Sequence, residues 1–142
     1  MEKCKLYEGK VFVDDRGTLR FFNDFNFEDN GIKRFYQVEN HEQGFIRAWH
    51  GHKIEGKYAY IARGSAWAAA IDMEDTTNVE KFILSDKNAR ILFIPPGKYN
   101  GFQTLEKDTI IIILSTTTIE QSQGDDYRLP YEKFPVFNKE YR

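Results

Sequence analysis

The 142-residue chain contains one cysteine, four prolines and three histidines, and each scarcity closes a class of explanation. A lone Cys4 cannot form an internal disulfide, so the chain is not a stapled secreted scaffold, and Cys4 reads as a small apolar residue near the terminus. The most hydrophobic run, Ile110 to Leu114, is far too short to cross a bilayer. No apolar stretch follows a basic start, so neither secretion nor membrane insertion is expected and the cytoplasm is the default compartment. Basic excess is missing too. A net charge of −2 gives no field to hold a phosphate backbone, which removes nucleic acid as an expected partner. Individual Arg and Lys side chains can still hold a small phosphate. Helical periodicity, internal repeats, low-complexity stretches and linkers are absent as well.

What is present is aromatic and β-branched. With 12 Phe, 8 Tyr and a 41% hydrophobic fraction, the composition suits a β protein better than a helical bundle rich in Leu and Ala. At this length one domain with one core is expected. Nine segments read as strands: 10–13, 18–25, 32–38, 44–50, 58–61, 66–71, 79–84, 91–94 and 109–115. Between them lie turn signals at Asp15-Arg16-Gly17, Asn30-Gly31, Arg63-Gly64-Ser65, Ser85-Asp86-Lys87-Asn88 and Pro95-Pro96-Gly97. So many short strands require a sandwich or barrel. Thr109 to Leu114 is apolar on both faces, as for a strand in a sandwich centre or at a subunit contact. After Ser115 the chain turns polar and aromatic, which reads as a loop and a short helix, with Phe134, Phe137 and Tyr141 packing outside the barrel.

Two of the three histidines stand in Arg47-Ala48-Trp49-His50-Gly51-His52-Lys53. A strand places residues i and i+2 on one face, so His50 and His52 point the same way, within reach of one ligand. An imidazole near its ordinary pKa of about 6.5 is half available as a base at neutral pH. Strict alternation puts Arg47 on the opposite face from His50, so a bulge is needed if the two are to share a site.

The segment Gly44-x5-His50-x-His52-x2-Glu55, followed by Pro95-x-Gly97-x2-Asn100, resembles the two signature motifs of the cupin superfamily. This implies an all-β cupin jelly-roll barrel (a double-stranded β-helix) spanning residues 1–142 as a single domain. In metal-binding cupins the first motif supplies two His and a Glu, and the second supplies another His. Here the last position is Asn100, whose amide oxygen is a poor ligand for a transition metal. Neither a metal nor an organic cofactor is therefore expected, and Asn100 is assigned to substrate binding.

A longer series, Asp15-Arg16-Gly17, Ile32 to Gln37, Arg47-x2-His50, Gly56-Lys57, Arg63-Gly64, Ile94 to Gly97 and Gly101-Phe102, resembles the cupins that act on nucleotide-linked 4-keto-6-deoxy sugars. These include the dTDP-4-dehydrorhamnose 3,5-epimerases and the dTDP-sugar 3,4-ketoisomerases. The resemblance implies His50 as base, Lys57 as stabiliser of the enolate, His52 as second proton carrier, and Tyr36 as the residue that orients the ketone. It also implies that Arg16 and Arg47 grip the pyrophosphate, with Gln37 and Asn40 reading sugar or phosphate edges. Asp125 or Asp126 is the candidate to hold the His50 tautomer. The run from Arg47 to Lys53 fits the ketoisomerases more closely, while the stretches 56–72 and 94–102 look more like the epimerases. The epimerase's late Tyr is missing, because Ser115 and Thr116 to Thr118 stand there. The expected function is 3,4-ketoisomerisation of a dTDP-like 4-keto-6-deoxy sugar in surface polysaccharide synthesis. The alternatives are 3- or 3,5-epimerisation with water or Tyr60 as acid, and a cupin that binds a sugar nucleotide or a metal without turnover. The resemblance also implies a homodimer in which a strand such as Lys10 to Val13 crosses to the partner.

Overall fold

The computed structural model describes residues 2–137, so Tyr141 lies outside the described residues. The elements are β1 (Lys5–Glu8), β2 (Lys10–Asp14), β3 (Gly17–Phe21), β4 (Arg34–Val38), β5 (Ile46–His52), β6 (Lys57–Arg63), β7 (Ser65–Asp72), β8 (Val79–Ser85), β9 (Arg90–Ile94), β10 (Lys98–Thr104), β11 (Ile110–Ser115) and β12 (Tyr127–Arg128). Among the described residues a single 3-10 turn spans Tyr131–Lys133. Two five-stranded antiparallel sheets, ordered β1-β9-β6-β11-β4 and β12-β5-β10-β7-β8, face each other as a jelly roll. The β2–β3 hairpin belongs to neither sheet. Among the described residues, no helix is long and apolar enough to cross a membrane.

Alternation along the strands builds the interior. Residues Ala59 and Ile61 of β6, Ala68 and Ala70 of β7, Leu92 and Ile94 of β9, and Ile111 and Ile113 of β11 meet between the sheets. A second apolar layer lies outside the β5-containing sheet, where Trp49, Ala69 and Ile71 are covered by Phe134 and Phe137. The rings of Tyr131 and Phe137 stack with Trp49, whose indole N–H donates to the Phe134 carbonyl at 3.2 Å. The C-terminal segment therefore packs outside the barrel.

All nine sequence-derived strands are present, with ends shifted by a few residues. The largest shift is in the segment read as 18–25, which leaves the ladder at Phe21. Three strands carry no usable pattern in the sequence: β1, β10 and the two-residue β12. Strand β10 (Lys-Tyr-Asn-Gly-Phe-Gln-Thr) looks like loop because its inward positions include Lys98 and Asn100, yet it pairs with β5 on one side and β7 on the other.

That pairing contains the feature that shapes the site. Asn100 is opposite His50 and Phe102 is opposite Arg47, so two residues of β5, Ala48 and Trp49, face the single Gly101. This is a β-bulge, and it changes the parity of the strand. A Cβ at Gly101 would lie 2.7 Å from the Ala48 Cβ and 2.9 Å from the Trp49 ring, so only glycine lets the bulged backbone close against β10.

Candidate active site

Because of the bulge, Arg47 and His50 share the inner face of β5. They open onto a cavity of about 130 Å³ together with Tyr36, Val38 and Asn40 from the β4 side, Lys57 of β6, Asn100 and Phe102 of β10, and Ile111 and Ile113 of β11. Both sheets contribute apolar and ionisable side chains: Val38, Ile111 and Ile113 beside Tyr36 and Lys57 on one, and Phe102 beside Arg47, His50 and Asn100 on the other. The cavity opens into a wider mouth lined by Arg34, Tyr36, His50, His52, Glu55, Lys57, Asp126 and Arg128. Of the sequence-derived candidates, the fold gathers Tyr36, Asn40, Arg47, His50, Lys57 and Asn100 at the cavity and His52 at its mouth.

Two candidates lie elsewhere. Gln37 alternates with Tyr36 and Val38 on β4, so its side chain is exposed on the outer face of the sheet. Arg16 sits at the tip of the β2–β3 hairpin, with 81% of its side chain exposed and its Nε bound to the Asp14 carboxylate at 3.0 Å. A hairpin that joins neither sheet does not carry its tip to the chain's own cavity. Tyr60, named above as an alternative acid, also points outward, packing edge-on against Phe22.

The electrostatics separate the roles of the ionisable groups. Burial, then the Arg128 and Lys57 charges, hold the His50 imidazole below its ordinary pKa, which keeps it neutral and basic. Burial likewise lowers the Lys57 ammonium, and the Glu55 carboxylate is the largest influence opposing it. The Tyr36 phenol is pushed up to about 12 by burial and by Glu55, so it holds its proton at neutral pH. Arg47 donates from Nε to the Asn40 side-chain oxygen at 2.6 Å, which ties β4 and β5 together at the cavity rim. Asn100 donates its amide N–H to the His50 carbonyl at 3.0 Å.

The histidine that is oriented by a partner is His52, and the partner is Asp125. The His52 Nδ1 lies 2.6 Å from the Asp125 carbonyl, which can only accept, so Nδ1 carries the proton. The Asp125 carboxylate is 2% exposed as a residue and accepts three consecutive backbone N–H groups, from Lys53 at 2.7 Å, Ile54 at 3.1 Å and Glu55 at 3.0 Å. This corrects the assignment of Asp125 or Asp126 to His50. The polar string Gly124-Asp125-Asp126 gave no cue to which histidine it meets. Arg34, Glu55 and Arg128 also line the mouth, and the sequence reading gives none of them a part in the chemistry. Glu55 was noted only as a possible metal ligand. Among the described residues no group of three His, Cys, Asp or Glu side chains is placed to hold a metal ion. His52 donates Nδ1–H to a carbonyl and keeps Nε2 unpartnered, Glu55 faces Arg34 at 3.4 Å, and the second motif supplies the Asn100 amide, a weak ligand for a transition metal, in place of a histidine. At the late strand, Ser115 and Thr117 are buried and bond each other at 3.2 Å, and Thr116 accepts from the Gly56 N–H. None of these lines the cavity.

An antiparallel jelly roll with a cavity between its sheets that His50, Lys57 and Arg47 enter has the architecture of a cupin barrel. Residues 1–131 match the dTDP-4-dehydrorhamnose 3,5-epimerase family, and the chain belongs to it. It is 29% identical over 116 residues to a dTDP-4-dehydrorhamnose 3,5-epimerase of Methanothermobacter thermautotrophicus, an alignment covering 75% of this chain and 63% of that protein. The chain thus spans under two-thirds of the length of that epimerase. It is 26% identical over 140 residues to the spore coat polysaccharide biosynthesis protein SpsL of Bacillus subtilis, with 91% of each chain covered. Among solved structures, a dTDP-4-dehydrorhamnose 3,5-epimerase from Sulfolobus tokodaii superposes with a TM-score of 0.76 at 26% identity, covering 94% of this chain and 82% of that one. A 3,4-ketoisomerase from Helicobacter canadensis shares the fold with a TM-score of 0.72 at 21% identity, covering 94% of this chain and 96% of that one.

Proposed function

We propose that the protein is an enzyme that moves a proton next to the ketone of a nucleotide-linked 4-keto-6-deoxy sugar, by 3,4-ketoisomerisation and without metal or organic cofactor. The observation that carries this reading is the pair His50 and His52 on one inner face of β5, with Lys57 and Tyr36 facing the same cavity from the other sheet. A C–H next to a ketone is on the order of ten pK units less acidic than imidazolium, a gap of more than about 13 kcal/mol that the site must narrow. In this reading neutral His50 removes the C3 proton, and Lys57 with the Tyr36 hydroxyl holds the charge that grows on the C4 oxygen. His52, on the same strand face, passes a proton taken up from solvent at Nε2 to C4, the C3 hydroxyl proton moves to the C4 oxygen to leave the 3-ketone, and His50 returns its proton to solvent. Arg47 and Asn40 at the rim take the pyrophosphate and sugar edges. The likeness to SpsL supports a place in polysaccharide synthesis, and the cytoplasm is the proposed compartment.

One observation favours a second reading. Tyr36 faces the cavity from the sheet opposite His50, so a proton removed on one side of the sugar can be returned from the other, which is epimerisation. Incubation with dTDP-4-keto-6-deoxyglucose in D2O, followed by proton NMR, separates the two readings. A 3-keto product with deuterium at C4 is expected. Deuterium at C3 or C5 with the 4-ketone retained replaces ketoisomerisation by epimerisation, and the absence of any exchange removes this substrate. Because His50 stays neutral below its ordinary range, the acid limb of the rate profile is expected below pH ~6.5. An acid limb above that value counts against His50 as base.

The dimer belongs to this proposal. Phe12 and Leu19 face each other across the β2–β3 hairpin and are 54% and 58% exposed, on a two-stranded unit that is marginal in water by itself. A second copy that covers this hairpin also places Arg16 near a cavity other than its own. Phe12→Ser together with Leu19→Ser is expected to sediment near the 16.7 kDa chain mass, and the unaltered protein at about twice that. A monomeric unaltered protein excludes the dimer.

A further inference from the structure

Glu55 lies two residues before Lys57 and only 2% of its side chain is exposed. Its carboxylate is under-partnered: Oε1 lies 3.4 Å from the Arg34 guanidinium and 3.8 Å from His52 Nδ1, while Oε2 is buried with no hydrogen-bond partner. Lys57 is buried with 8% exposure and has no ion-pair partner within 4 Å among the described residues. A buried ammonium without counter-charge loses its proton, and a neutral amine cannot hold an enolate. Strand β6 pairs with β9 and β11 through Ile94 and Ser115 at the level of Lys57, and neither residue is charged. The charged and titratable groups facing Lys57 are Arg34 and Tyr36 from β4, His50 and His52 from β5, and Asp126 and Arg128 from the C-terminal segment. Four of these are basic. Asp126 is exposed and engaged by Arg128 at 3.1 Å, and the buried Asp125 carboxylate is taken up by the three backbone N–H groups of 53–55, which leaves Glu55 as the buried anion lining the mouth.

We propose that Glu55 is a positioning residue, the fixed counter-charge that keeps the Lys57 ammonium protonated at the cavity wall and bears against the Nδ1 side of His52. The proposal rests on the reading of Lys57 as the enolate stabiliser. Its place explains why the carboxylate is not consumed by one close partner. Asp125 pins the Glu55 backbone N–H, and Arg34 holds one oxygen at a distance, so the charge is shared over the mouth of the cavity. The opposing influence of Glu55 on the ammonium, described above, agrees with this geometry.

The test reads Lys57 directly. In protein labelled with 13C at the lysine side chains, the Lys57 Cε resonance is titrated by NMR for the unaltered chain, Glu55→Gln and Glu55→Asp, with Lys57→Arg used to assign the signal. Glu55→Gln is expected to lower the Lys57 midpoint by about one pH unit or more, and the alkaline limb of solvent exchange into the sugar is expected to fall by the same amount. kcat should drop about tenfold or more at pH 8, while KM moves less than threefold. Glu55→Asp keeps the charge one methylene away and is expected to give a smaller shift of the same sign, which decides the matter if the Gln variant does not fold. A Lys57 midpoint unmoved in every variant that folds overturns the proposal whether or not a substrate has been found. A shifted midpoint in a protein that exchanges no sugar proton upholds the counter-charge and removes the proposed reaction.

Discussion

His50→Asn is expected to abolish solvent exchange into the sugar, reducing its rate by about 10³-fold or more, within the range that a positioned general base contributes. The reasoning starts from the bulge in β5, which turns His50 inward, and from burial beside Arg128 and Lys57, which keeps it unprotonated. Asparagine matches the size of the ring's first atoms but accepts no proton at neutral pH. The fold should tolerate the change, because no described residue bonds to the His50 ring and the Asn100 contact is to its backbone carbonyl. An unchanged melting temperature with lost exchange locates the effect in the chemistry. Retained exchange transfers the base to His52. The matching His52→Asn variant then divides the two reactions: under ketoisomerisation exchange at C3 persists while the 3-keto product is lost, and under epimerisation product formation survives.

The largest stability effect is expected from Asp125→Ala. Three backbone donors, the part-buried N–H groups of Lys53 and Ile54 and the buried N–H of Glu55, all point at this one carboxylate. Stranding buried donors costs about 1–3 kcal/mol each. With partial relaxation and water entry the sum is about 3 kcal/mol, or roughly 10 °C in melting temperature for a chain of this size. Asp125→Asn retains an acceptor oxygen and is expected to lose roughly half as much. Thermal unfolding followed by circular dichroism checks both variants. A loss below ~1 kcal/mol in the alanine variant would mean that the 53–56 turn holds itself without Asp125.

The fold was legible where physics is local. Alternating apolar residues and turns such as Arg63-Gly64-Ser65, with Gly64 at φ +87°, mark most strands and the barrel that must enclose them. Strand β10 was illegible because Lys98, Asn100 and Gly101 answer to the interior they face and not to a strand's usual preferences. The His50, His52 and Lys57 neighbourhood could be read from spacing and resemblance, and so could the need for a bulge at Arg47. The position of that bulge could not, because it depends on a glycine in another strand. Gln37 and Tyr60 fell on the wrong face because a family pattern fixes sequence order, while the pleat of the strand fixes direction. Asp125 was weighed only against His50, since nothing in Gly124-Asp125-Asp126 announces that a carboxylate 70 residues away will bind the N–H of Glu55.

The anchoring of β5 by the C-terminal segment has a consequence for the order in which the protein is made. His52 leaves the ribosome 73 residues before Asp125, the residue that sets its ring, and Trp49 leaves 85 residues before its partner carbonyl on Phe134. The nascent chain can assemble both sheets from β1 to β11 while His52 still lacks the carbonyl that sets its ring. The step proposed for His52 then becomes possible only late, when the segment carrying Asp125 docks, so a ribosome-stalled chain released before that segment emerges should be folded in outline, exchange at C3 through His50, and form no 3-keto product.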